Sequence, residues 1–196
     1  MSKITLAPNA SGTGTLSIAS PNTNSDYTLT LPAETGTVLM SASTIIQNGG
    51  PAFSAYRSGS TQLVSNTTWT KVQFNAELFD TNSCFDSSTN YRFTPNVAGY
   101  YQVNTTLNTN YSTLKRVLLG FYKNGSLYLA AVDLDSVSAA GSSFNEVSGS
   151  TLVYMNGTTD YLEVYVYLNG TTDGSTLGVY YGATFTQFSG YLARAA

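Results

Sequence analysis

Asp133 and Asp135, in the stretch AVDLDSV, stand two residues apart. On a strand that spacing sends both carboxylates to one face. Such a pair could serve as paired acids or as calcium ligands, because calcium prefers carboxylate oxygens. The competing reading is a solvated strand end, since two carboxylates without a full loop signature make an incomplete site. The chain contains no His, which removes the commonest general base and the commonest zinc ligand together. Ser-His-Asp and Cys-His catalysis are thereby excluded. The single cysteine, Cys84, sits in the polar turn TNSCFDSS and reads as a small incidental residue. GTTDGSTLG, residues 170–178, is rich in Gly and Thr but has no lysine and does not follow the P-loop pattern. It reads as an exposed loop, of the kind that carries recognition on a rigid β scaffold. Neither catalysis nor a cofactor is expected. A glycan-cleaving enzyme would need two placed carboxylates.

The elements that must carry these residues are written in the composition. Only 10% of the residues are charged, and the net charge is −3. Ser, Thr, Asn and Gly supply the polar share. There are 15 Tyr and 9 Phe. Aromatic and β-branched residues favour strands, and Asn and Gly favour turns, so the chain reads as all-β. No basic patch appears, which disfavours nucleic acid as a partner. A lone cysteine forms no internal disulfide, so an oxidising compartment is not implied. The start, MSKITLAPNA, lacks an apolar signal core, and no run approaches the length of a membrane span. The expectation is a protein made in a cytoplasm, without membrane insertion.

Residues 1–50 differ from the rest. They hold three charges, Lys3, Asp26 and Glu34, and no Phe or Trp. In YTLTLP, Tyr27, Leu29 and Leu31 face one way and Thr28 and Thr30 the other, a period of two. Leu16 and Ile18 alternate similarly in GTLSIAS. Short strands of this kind do not make a domain alone. The segment reads as an extended arm that borrows stability from a partner or sister chains, against the plainer reading of a disordered leader. Asn-Gly-Gly-Pro at 48–51 is a turn or linker signal, and it places the domain boundary near Gly50.

From Pro51 to Ala196 the strands lengthen. Thr70, Val72, Phe74 and Ala76 share a face, as do Tyr101, Val103, Thr105 and Leu107. RVLLGFYKNGSLYLAAVDL is two strands joined by Asn124-Gly125, a preferred hairpin turn. STLVYMNGTTDYLEVYVYLNG repeats the device at Asn156-Gly157. In its second half Leu162, Val164, Val166 and Leu168 line one face; Tyr161, Glu163, Tyr165 and Tyr167 line the other. An apolar face opposite a Tyr-rich one suits a core on one side and a subunit contact on the other, so Tyr161, Tyr165 and Tyr167 are candidate interface residues. The alternative is an ordinary solvated face. About ten strands with regular turns make a β-sandwich or jelly roll.

One constellation goes beyond class. Phe74 is followed after five residues by Asp80, and after four more by Phe85. Phe93 follows, then Gly99 after five residues, and Tyr101 after one. This resembles the signature of C1q-like domains. The gap from Phe85 to Phe93 is one residue longer than in that family, and Val103 stands where the family has Phe. A one-residue loop insertion costs little. PAFSAYRSG at 51–59 looks like the family's opening strand, FYKNGSLY like its central hairpin, and TFTQFSGYL at 184–192, with Phe188 and Gly190, like its closing strand. The resemblance implies a ten-stranded jelly roll of the tumour-necrosis-factor type, assembled as a trimer, with the final strand paired beside the first. It makes Phe74, Phe93 and Tyr101 core or interface aromatics. It makes Gly99 a point of close approach.

SGTGTLSIASPNTNSDYTLTLPAETGTVL, residues 11–39, resembles a segment common in bacteriophage tail-fibre and other virion proteins. That implies a virion protein, assembled in the host cytoplasm, whose residues 1–50 dock on other virion proteins through Leu16, Ile18, Tyr27, Leu29 and Leu31. The expected role is a trimeric fibre or adhesin head that contacts host-surface glycan or protein. The alternative is a capsid decoration protein. A secreted C1q-like ligand would need a signal peptide and usually a stalk, and neither is read here.

Overall fold

The computed structural model describes residues 11–13, 22–26, 28, 50–110, 114–135, 144–170 and 177–196. The chain divides into two units, Met1–Ser43 and Thr44–Ala196, and the sheets lie in the second. The five virion-docking candidates, Leu16, Ile18, Tyr27, Leu29 and Leu31, fall outside the described residues, as does most of the loop at 170–178.

The described strands are β1 (Ala52–Tyr56), β2 (Gln62–Leu63), β3 (Thr70–Lys71), β4 (Ala76–Asp80), β5 (Phe85–Asp86), β6 (Arg92–Phe93), β7 (Gly99–Asn110), β8 (Leu114–Lys123), β9 (Ser126–Asp135), β10 (Phe144–Met155), β11 (Leu162–Gly170), β12 (Gly178–Val179) and β13 (Gln187–Ala195). Five of them are two residues long, so the expected ten strands appear as a larger number of segments. They form two antiparallel sheets. Sheet A runs β2–β12–β7–β13–β1–β4, with β10 on the far side of β7. Sheet B runs β5–β6–β11–β8–β9, with β3 also paired to β11.

The closing strand is central. β13 lies between β1 and β7, with Phe53 opposite Gly190 and Gly190 opposite Val103. A Cβ on Gly190 would come within 2.9 Å of both the Phe53 ring and Val103, so the strand passes only without a side chain there. Gly99 is as tightly placed, against the Arg194 carbonyl and Ala195.

The aromatics of the sequence signature meet in the core between the sheets. Phe53 stacks on Phe93 at 4.4 Å and on Phe85 at 5.0 Å, and Phe188 meets Phe53 edge-on at 4.9 Å. Phe93 packs edge-on to Tyr101 at 5.2 Å, and Phe74 leans on Phe188 at 5.6 Å. The one polar atom among these rings is accounted for: the Tyr101 hydroxyl donates to the Val97 carbonyl at 2.8 Å. Burial pushes that phenol well above its usual range. Asp80 is the polar member of the signature for a local reason. Its carboxylate accepts the Phe85 amide at 2.8 Å and the Asn82 amide at 3.3 Å, closing the turn from β4 to β5.

Asn124 and Gly125 have φ of 52° and 79°. Positive φ at both positions matches the tight turn of the β8–β9 hairpin. The second expected hairpin is corrected. β10 pairs with β7 and β11 with β8, so the segment at Asn156-Gly157 crosses from one sheet to the other. The Asn156 side-chain oxygen accepts the amides of Thr158, Thr159 and Asp160 at 2.9–3.0 Å. That cap supports a longer loop, which a two-residue turn would not need.

Candidate functional site

The residues first considered for chemistry are engaged structurally. Arg116 grips Asp133 with two hydrogen bonds of 2.8 and 2.7 Å. This grip holds the Asp133 carboxyl below its ordinary range. Asp135 lies opposite Arg116 in the β8–β9 register. Among the described residues no group of three or more His, Cys, Asp or Glu could hold a metal ion. Cys84 is buried, and burial raises its thiol above the usual value, the opposite of what an activated nucleophile requires.

β11 sorts its side chains as the alternation requires. Leu162, Val164, Val166 and Leu168 are buried against the core. Tyr161, Glu163, Tyr165 and Tyr167 occupy the outer face of sheet B. Side chains of the same chain already pack on that face. Arg92 lies 4.3 Å above the Tyr161 ring. Lys71 reaches Glu163 at 2.9 Å, and the Glu163 side chain is only 6% exposed. Tyr165 stacks on Tyr122 at 4.0 Å, and Trp69 packs between Tyr122 and Tyr167 at 5.7 and 5.9 Å. The three tyrosines are half-buried.

One cluster of exposed apolar side chains lies on the outer face of sheet A. Tyr100 and Tyr154 pair across β7 and β10, their rings 5.5 Å apart. Leu152 and Tyr191 flank Gln102 in the next row, each 52% exposed. Beyond them the same face turns polar: Asn104, Thr106, Ser148 and Ser150 line a shallow depression of about 210 Å³. The signal was present in GYYQVNTTL. Once Tyr101 and Val103 are assigned to the core, Tyr100 and Gln102 must face outward.

No family model matches the sequence, and no curated protein matches it. Solved structures do. The globular domain of zebrafish complement 1qA superposes with a TM-score of 0.50 at 21% identity, covering 74% of this chain and 99% of that one. The Eiger TNF of S. frugiperda gives 0.57 at 11%, covering 75% and 95%. Murine APRIL gives 0.54 at 8%, covering 72% and 98%. The domain has the C1q/TNF-type jelly-roll fold. The signature aromatics Phe74, Phe85, Phe93, Tyr101 and Phe188 are then framework residues of that jelly roll, all buried.

Proposed function

We propose that this is a non-enzymatic structural protein of a bacteriophage particle. Jelly-roll heads assemble as a homotrimer, and residues 1–50 fasten it to other virion proteins. The observation that carries the particle assignment is the resemblance of residues 11–39 to segments of tail-fibre and virion proteins. The trimer is inferred from the C1q-like resemblance. The exposed cluster of Tyr100, Leu152, Tyr154 and Tyr191 supports it, as an apolar patch on one sheet face marks a contact site. Three arms acting together give avidity, because the second and third docking events become intramolecular. The uncharged Ser, Thr and Tyr surface suits contact with host polysaccharide or protein.

A fibre or adhesin head is the leading form of this role. Capsid decoration is the second. Immunogold microscopy of intact particles, with antibody against the folded domain, separates the two. Gold at the tail tip supports the adhesin, gold over the head supports decoration, and unlabelled particles overturn the virion role.

A further inference from the structure

The outer face of sheet B combines features that fold stability alone does not require. Trp69, the chain's single Trp, sits in the loop that runs along the edge of β11. Asn66 clamps that loop to Gly170 with two hydrogen bonds, 3.3 Å to its carbonyl and 3.2 Å from its amide. Thr67 holds a φ of 56°, a left-handed conformation that disfavours a β-branched residue. The Trp69 ring then crosses to β8 and lies over Gly120, where a Cβ would meet it at 3.1 Å. The row of β8 side chains is thus interrupted by a glycine, and the indole occupies the gap between Tyr122 and Tyr167. Each of these three rings keeps part of its surface accessible.

Among the rings lies the Lys71–Glu163 pair. A buried ion pair is weak evidence for stability, because desolvation offsets the attraction. An aliphatic pair of similar volume would cover the sheet as well. What the pair adds is hydrogen-bonding capacity beside apolar ring faces, with no net charge.

We propose that this face binds neutral polysaccharide, with Trp69 and Tyr122 meeting the C–H faces of sugar rings and Lys71 and Glu163 meeting their hydroxyls. Aromatic π-faces carry partial negative charge and attract weakly positive C–H groups. The tyrosine hydroxyls and the neutralised pair supply donors and acceptors without selecting an anion. If sheet A carries the self-contact, sheet B remains on the outside of the assembly. The inference deepens the attachment reading above, and it rests on that reading only for the biological source of the glycan.

The test uses the full-length protein on an array of neutral bacterial and fungal glycans, with heparin and a peptide library beside it. Retention of one or more neutral glycans is expected. Titration with the retained glycan should change the emission of Trp69, which reports this face alone. Trp69→Ala should weaken retention by at least about tenfold, the loss expected on truncating an aromatic anchor. Tyr122→Ala serves as the second variant if Trp69→Ala does not fold. No retained neutral glycan, retention of heparin or peptides only, or retention unaltered in a folded variant overturns the proposal. If particles are immunogold-labelled while the array is blank, the glycan surface falls and the virion role stands.

Discussion

The Lys123 ammonium lies 2.8 Å from the Asp160 carboxylate, and this contact ties two distant loops together. Asp160 is 8% exposed. It also accepts the Asn124 side-chain amide at 2.8 Å and the Asn156 backbone amide at 3.1 Å. The β8–β9 hairpin turn and the sheet-crossing loop after β10 therefore share one anion. Asp160→Ala leaves the Asn124 side-chain amide and the Asn156 backbone amide without this acceptor, and leaves Lys123 only the Tyr154 carbonyl. The expected cost is about 2 kcal/mol, from buried donors left unsatisfied, read as a lower urea midpoint with an unchanged slope.

The same carboxylate sets an acid dependence. Hydrogen bonding from Lys123, then from Asn124 and Asn156, holds the Asp160 carboxyl below its unfolded value. Asp86 is likewise held below its unfolded value, chiefly by the Thr89 amide. A carboxyl depressed in the folded state stabilises it fully above the unfolded value, about 3.9 for Asp, and loses that contribution as pH falls through the folded value. Stability should therefore hold above about pH 5 and decline below it. Asp160→Asn should flatten the decline in urea midpoints between neutral and acid pH. An identical decline in the variant would show that Asp160 does not contribute.

The core fixes a third outcome. Gly190 passes between Phe53 and Val103 with no room for a Cβ. Gly190→Ala must displace one of two fully buried side chains. Overpacking of that kind costs about 1–3 kcal/mol. Thermal unfolding would show the lowered midpoint, and a neutral substitution would mean that β13 can shift relative to β1.

Much of this architecture was legible in the chain. The period of two in GYYQVNTTL and LEVYVYLNG separates the inner face of each strand from its outer face, because every side chain of a two-faced strand must obey it. The spaced aromatics from Phe74 to Tyr101 anticipated a shared core. Asn156-Gly157 misled, since local turn chemistry does not say whether the next strand stays in the same sheet. Nothing in the linear sequence marks Trp69 either. Its significance depends on Gly120, fifty-one residues away, and only pairing β3 and β8 on either side of β11 brings the two together. The polar partners of Glu163 and Tyr161 were hidden for the same reason: Lys71 and Arg92 arrive from separate strands.

Cys84 offers a test of burial. Its thiol is enclosed and its ionisation is disfavoured by that enclosure. A thiolate-seeking reagent at neutral pH should not label the native protein within the time that labels the urea-unfolded chain completely. Rapid labelling of native protein would mean that the β4–β5 turn opens readily.

The outer face of sheet A carries the last prediction. Leu152 is 52% exposed and Tyr154 42%, so neither contributes much to folding of the single chain. Surface substitutions away from special features change stability by about 0.5 kcal/mol or less. Leu152→Glu should accordingly leave the unfolding midpoint of a lone chain nearly unchanged. In an assembled trimer the same change places a charge in an apolar contact, and a buried unpaired charge is costly. Light scattering should then give three times the chain mass for the native protein and the single mass for the variant. If the native protein scatters as a monomer at micromolar concentration, the avidity argument for the arms falls with the trimer. If both scatter as trimers, self-contact runs through another face, and the half-buried tyrosines of β11 become the next surface to substitute.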